Sequence, residues 1–329
     1  MKISDAVIIS TEKPVYRIAH ISDTHISPEF NRYNIIKLKH LLGHIVEEGF
    51  DHIAITGDIT GHGEESGYRS VRRLLKYFDL LDYEKLTVTV GNHDIFGGVH
   101  RAEDLFTFGK RCRTIDYAGK LRMFERIFRE TFPKKVYSEE SLFPFVKIIG
   151  PVVMIGLNSI REHHPLLNPV GSNGRVSEVQ LEEAKRILGH PSIEKLRKIA
   201  LVHHHFNKYR PYSDSLATTL YHKFESHTLR LHGRKNVERI FRETGVDAVL
   251  HGHTHIEGIY SRSGILYSST ALNPTKNEEN GENPEAGNKL RFNEIAISDK
   301  GDIELMNRRA IAMPKGSSSR AVDKRLYGE

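Results

Sequence analysis

The stretch Arg17-Ile18-Ala19-His20-Ile21-Ser22-Asp23-Thr24-His25 runs a short apolar segment into a turn that carries a carboxylate and an imidazole two residues apart. Four later short apolar stretches also run into polar clusters of carboxylate, amide or imidazole. His52–Thr56 ends in Gly57-Asp58, Leu86–Val90 in Gly91-Asn92-His93-Asp94, Ile199–Val202 in His203-His204-His205, and Ala248–Leu250 just before Gly252-His253-Thr254-His255. Apolar runs this short, rich in β-branched residues, read as buried strands. Longer segments of helical period separate them, which predicts βαβ units and an α/β fold on a largely parallel or mixed sheet. In such a sheet the carboxyl ends of the strands gather at one edge, where residues distant in sequence converge.

Working outward, Ile35, Leu38, Leu41, Leu42, Ile45 and Val46 recur at three- and four-residue spacing, as do Tyr68, Val71, Leu74, Leu75 and Phe78. Each set predicts an amphipathic helix. Ser177 and Gln180 make a capping-box pattern ahead of Leu181, Ala184, Ile187 and Leu188, and Val237, Ile240 and Phe241 mark a fourth helix. Ile265–Tyr267 adds a sixth strand. Two antiparallel pairs are expected, Phe143–Ile149 with Val152–Leu157 and Phe292–Ile297 with Ile303–Met306, as a second sheet or an extension of the first. Residues 273–288 and the chain from Lys315 onward are polar and predicted to be loop or flexible.

The segment 97–135 differs in character. It holds ten basic residues against five acidic ones, with Leu121, Phe124, Ile127 and Phe128 at helical spacing. Two readings stand for it: a solvated helical hairpin, or a basic lid over an anion-binding site.

Composition narrows the chemistry. A chain of 329 residues with 38% apolar residues can bury a sizeable core, which excludes a disordered protein. Its formal charge of +6 suits an anionic ligand but is too small to argue for nucleic acid by itself. One cysteine, Cys112, can form neither an internal disulfide nor a cysteine-rich zinc cluster. Any metal must then be held by histidine, carboxylate or amide, and there are 20 histidines. With no apolar run long enough to span a membrane and no secretory leader pattern, a cytoplasmic location is expected.

Taken singly, each strand-end cluster is weak, because an Asp after a strand is usually a turn or cap residue. Five in register with strand ends form a different pattern. In an extended segment residues i and i+2 share a face, so Asp23 with His25, and His253 with His255, are expected to present paired ligands. Gly57, Gly91 and Gly252 would allow the close turns. Seven groups are too many for one zinc ion, but they suit two first-row ions that share Asp58. Two ions roughly 3.5–4 Å apart would acidify a water between them and polarise a phosphoryl group, so the implied chemistry is phosphoester hydrolysis.

These residues resemble the calcineurin-like metallophosphoesterase superfamily, whose motifs run D-x-H, G-D, G-N-H-[DE], a histidine at a strand end, and G-H-x-H. The resemblance implies two mixed β-sheets packed as a sandwich and flanked by helices, a four-layer αββα arrangement. It also implies a single catalytic domain over residues 1–314, with 97–135 as a basic helical insertion and 315–329 as a polar tail. One metal ion would take Asp23, His25, Asp58 and His255; the second would take Asp58, Asn92, His253 and a histidine of the 203–205 run. Aligning Phe206 with a proline common in relatives selects His204, with His203 as second choice. The two ions, divalent or trivalent, would be Mn, Fe or Zn. His93 would protonate the leaving group or stabilise the transition state while a metal-bridging hydroxide attacks phosphorus. Asp94 is expected to act as a turn residue or to support ligands. Gly57-Asp58-Ile59-Thr60, with Gly63 and Tyr68, is similar to the class III cyclic nucleotide phosphodiesterase branch.

The expected substrate is a nucleotide-type or other small phosphodiester. The alternatives are a nuclease or lipid phosphoesterase of the same superfamily and, behind them, a non-catalytic scaffold. No Walker-type G-x-x-x-x-G-K-[ST] and no G-x-S-x-G occurs. Outside the five motifs the other histidines read as surface or packed residues rather than ligands, with His62 and His163 the two to test for a place at the border of the site.

Overall fold

The computed structural model describes residues 6–8, 16–98, 104–133, 141–207, 229–272, 289–298 and 300–313. Two six-stranded mixed sheets form the centre. The first runs in the order Ala6–Ile8, Ile303–Ala312, Lys289–Ile297, Tyr16–Ile21, His52–Thr56, Leu86–Thr89. Its last three strands are parallel, with Ile18 opposite His52 and Ile53 opposite Leu86. The second runs Gly258–Arg262, Ile265–Ser269, Ala248–His251, Arg197–Val202, Val152–Leu157, Phe145–Ile149. Each expected antiparallel pair forms, but in different sheets: one closes an edge of the second, and the other extends the first.

Side-chain alternation along the strands builds the layers. Ile18 and Ala54 of the first sheet pack on Met154, Ile199, Leu201, Ala248 and Leu250 of the second. Their neighbours Ala19, Ile21, Ile53 and Ile55 face outward onto helices α1 (Asn34–Glu47) and α2 (Glu65–Tyr77). On the far side, Val153, Ile155, Ala200, Val202 and Val249 pack with Leu181 and Leu188 of α6 (Glu178–Leu188) and with Val237 and Phe241 of α7 (Arg234–Glu243). The order is helix, sheet, sheet, helix. Ser177 caps α6, its side chain accepting from the Gln180 amide as the sequence pattern predicts.

A short helix, α3 (Asn92–Phe96), follows the Leu86–Thr89 strand, and the basic segment forms α4 (Asp104–Thr114) and α5 (Tyr117–Phe128). These are not a solvated hairpin. Phe108, Cys112, Phe124, Ile127 and Phe128 are buried in the same core as α2, and the ring of Tyr68 lies 6.1 Å from Phe124 and 5.8 Å from Phe128. Each aromatic buried in this way contributes roughly 1.5–3 kcal/mol, which anchors the segment independently of its charges. The 273–288 loop and the 315–329 tail lie outside the described residues. Among the described residues no helix is long and apolar enough to cross a membrane.

Candidate metal centre

Where the central strands end, the backbone departs from extended geometry. Asp23, His25, Asp58, His253 and His255 all have positive φ, between 43° and 77°. Side chains with a Cβ avoid this region, and such residues gather where the fold over-determines them, commonly at functional sites. The expectation that Asp23/His25 and His253/His255 share a face of extended chain is therefore corrected. Left-handed turns aim them instead. The turns are tied by Asp23 N–H to Gly57 O (3.1 Å), His25 N–H to Asp58 O (2.9 Å) and Gly252 N–H to His203 O (3.0 Å). Two glycines are needed for proximity: a Cβ on Gly91 would lie 2.1 Å from the Asp58 nitrogen, and one on Gly252 would lie 2.1 Å from Asp23 Oδ2.

The side chains converge in adjoining clusters. Asp23, His25 and His255 form one; Asp58, His203 and His253 form another; and His25, Asp58 and His93 lie between. In the first, His25 Nε2 is 2.9 Å from His255 Nε2, and Asp23 Oδ1 lies 3.4 Å from His255 Nε2. In the second, His203 Nε2 faces His253 Nδ1 at 3.2 Å, Asn92 Oδ1 at 3.1 Å and Asp58 Oδ2 at 3.4 Å. Asp58 Oδ2 is also 3.8 Å from His25 Nε2, so that carboxylate touches both clusters. Its other oxygen accepts the His93 amide at 2.7 Å.

The electrostatics fit cations. Burial opposes ionisation of Asp58, but the surrounding imidazoles of His203, His93 and His25 hold its carboxyl well below the ordinary range. Burial, with help from His93, pushes His25 down to about 3 and drives His253 well down too, so both rings are neutral. Burial likewise disfavours a charged His203, yet the Asp58 carboxylate outweighs it and lifts that ring to about 9. A proton is being drawn to where positive charge is wanted. Ionised carboxylates and neutral imidazoles are the ligating forms, and facing ring nitrogens beside carboxylates suit first-row ions.

Comparison with known proteins gives the same reading. Residues 16–257 match the calcineurin-like phosphoesterase family. The chain belongs to that family. Over 89 residues it is 35% identical to the cAMP/cGMP dual specificity phosphodiesterase of Mycobacterium tuberculosis (strain CDC 1551 / Oshkosh), a match spanning 25% of this chain and 28% of that protein. Its fold is similar to a dimetal phosphatase from Danio rerio, with TM-score 0.55, 14% identity, and coverage of 92% of this chain and all of the other. It is also similar to the purple acid phosphatase PPD1 from yellow lupin (Lupinus luteus), with TM-score 0.52, 13% identity, and coverage of 93% and 55% of the two chains.

Within this calcineurin-like phosphoesterase the triple-histidine run needs a correction. The ring at the cluster is His203, not His204. Leu201 and His203 share the face that meets the first sheet, and His203 Nδ1 donates to Thr56 O at 2.8 Å, leaving Nε2 for the site. His204 lies outside the cluster, its ring packed 4.3 Å centroid to centroid from His253, with Nδ1 2.8 Å from Ser159 Oγ and Nε2 3.2 Å from Ser172 O. Asp94 is a buried brace. Its carboxylate accepts from the amides of Ile59, Thr60 and Gly91 and from the Thr60 hydroxyl, fastening the Asp58 turn to α3. His93 is half-buried, 4.5 Å centroid to centroid from His25, with Nδ1 3.3 Å from Gly61 O. His62 packs against Phe30 with the rings tilted at 40°, and neither it nor His163 joins the convergent clusters among the described residues. Sequence reasoning named Thr60 only within a motif and Lys120 and Arg111 only as part of a basic segment; their contacts to Asp94, Gly63 O and Gly98 O had no signal in the sequence pattern.

Proposed function

We propose that this chain hydrolyses a small phosphodiester, nucleotide-like in type, with two first-row metal ions held by Asp23, His25, Asp58, Asn92, His203, His253 and His255. The observation that carries this reading is the pair of carboxylate–imidazole clusters, Asp23/His25/His255 and Asp58/His203/His253, linked by Asp58 through His25, with His93 standing half-exposed beside them. Ions bound there would neutralise phosphoryl charge and acidify a water for attack on phosphorus. Mn, Fe or Zn suits such a nitrogen and oxygen donor set.

The protein's own groups supply the rest. Because a carbonyl only accepts, the contact with Gly61 O fixes the proton on His93 Nδ1 and leaves Nε2 for the reaction. Protonated there, the ring stabilises charge building on the phosphoryl oxygens and gives its proton to the departing alkoxide. Asp58 orients His93 from the other side through its backbone amide. Preference for a diester is supported by the likeness to the mycobacterial cyclic nucleotide enzyme.

A polyanionic substrate finds less support. Arg111 and Lys120 donate to backbone carbonyls, and Arg126 pairs with Glu65, so these basic side chains of the insertion are engaged within the chain. The deciding experiment is hydrolysis of bis(p-nitrophenyl) phosphate by metal-stripped protein reloaded with Mn²⁺, with p-nitrophenyl phosphate and His93→Ala protein in parallel. Metal-dependent diester turnover that needs His93 is the expected result. Turnover of the monoester alone, or a steep loss of binding with salt, would move the reading to a phosphatase or to a nucleic-acid substrate.

A further inference from the structure

The loop after Asp58 and the residues after α3 pack against one another beside the candidate site, and both are built on glycine. Gly63 has φ +60°, and a Cβ there would lie 2.3 Å from the Asp94 carbonyl oxygen. Gly98 N–H donates to Gly61 O at 3.1 Å, the same oxygen that His93 Nδ1 faces at 3.3 Å. Gly61 O is thus the second fixed point of the His93 ring, the first being its amide on Asp58. Backbone of this kind has little side-chain packing of its own to hold it.

Two cations from the insertion reach this pair of turns. From α4, Arg111 donates to Gly98 O at 2.7 Å; from α5, Lys120 Nζ donates to Gly63 O at 2.5 Å. Both are charge-assisted bonds to neutral carbonyls, among the stronger hydrogen bonds a protein makes. Lys120 is half-buried, and burial lowers its pKa despite the nearby Glu64 and Asp94. Taking an ammonium out of water has a cost, so its place against the Gly63 carbonyl is a constrained one. The helices that carry these cations are anchored by Phe108, Phe124 and Phe128 in the α2 core. A rigid, hydrophobically fixed element therefore clamps both glycine turns that present Gly61 O.

We propose that Arg111 and Lys120 are positioning residues for His93. Acting through Gly98 and Gly63, they hold the Gly61 carbonyl where it fixes the tautomer and direction of the imidazole. The insertion thereby sets the geometry of the proton donor. This inference rests on the proposed phosphodiesterase reading.

A double-mutant cycle on Mn²⁺-loaded protein with bis(p-nitrophenyl) phosphate tests it, using Lys120→Met, Lys120→Arg and Arg111→Met alone and with His93→Ala. The expected result is a fall in kcat on the order of tenfold for Lys120→Met and Arg111→Met, with little change in KM, bound metal or Tm. Lys120→Arg should recover most of the loss. In the His93→Ala background the same substitutions should produce no further fall, because the group they position is gone. Additive losses in that background, or a drop in Tm and metal content that tracks the drop in rate, would make the two cations merely structural and overturn the proposal. So would full activity in Lys120→Met and Arg111→Met when His93→Ala is impaired. An unimpaired His93→Ala protein would instead overturn the role given to His93 itself.

Discussion

The first sheet delivers Asp23, His25, Asp58, Asn92 and His93 to the candidate site, whereas the second delivers the imidazoles of His203, His253 and His255. Both carboxylates of the clusters come from one half of the sandwich. The second half depends on them: Asp23 accepts the His253 amide, and the carboxylates lift the His203 and His255 rings against the effect of burial. Neither sheet alone holds the paired clusters. The site exists because the inner faces, Ile18 and Ala54 against Ile199, Leu201 and Leu250, lock the two edges in register.

This asymmetry can be broken most sharply at Asp58, which touches both clusters. Asp58→Ala should empty both positions, seen as metal lost by elemental analysis, and cut hydrolysis by on the order of 10³-fold or more. Retention of two ions would mean the carboxylate half is not the organiser. Next comes His93→Ala, for which we expect a kcat lower by about 10²–10⁴-fold with metal content unchanged. A coupled loss of metal would instead make His93 a ligand, as its place among His25 and Asp58 allows.

The imidazole half is sharpened by a pair of neighbours. His203→Ala should reduce bound metal toward one ion per chain, while His204→Ala keeps both and loses roughly tenfold in rate or less through its contacts to Ser159 and Ser172. The reverse pattern would restore the motif alignment that favours His204.

Between the sheets, away from the site, the expected effect is on stability rather than on rate. Lys147, on a strand of the second sheet, is buried and donates its Nζ to Leu86 O of the first at 2.7 Å, and burial lowers its pKa to about 7. Above that value the folded state sheds the proton while the unfolded chain keeps it, up to its ordinary pKa near 10.5. Folding stability should therefore rise with pH across that window, by at most about 1.4 kcal/mol per pH unit, relative to Lys147→Met protein. Urea unfolding of both proteins at pH 6, 8 and 9.5 checks this. A difference that stays flat or falls would show that Lys147 remains charged in the fold.

The order of the strands and of the polar clusters at their ends was legible in the chain itself. Alternation of short apolar runs with helical periods is a local property, and so is a polar cluster at the end of each run; both survive without any tertiary information. The core helices follow from three- and four-residue spacing in the same way. What sequence could not supply was direction. His203 and His204 differ only in which face of their strand meets the other sheet, and parity along a buried strand carries no label for inside. The i, i+2 argument for Asp23 and His25 paired two side chains that do converge, but through the wrong geometry, because left-handed turns held by other segments aim them. The insertion's net charge was equally ambiguous. A cation's partner is a matter of distance, and only the packed helices show Arg111 and Lys120 directed at the Gly98 and Gly63 carbonyls rather than at solvent. The order of residues determines which groups reach the edge of the sheets; tertiary packing decides which way each one faces, because orientation depends on neighbours far away along the chain.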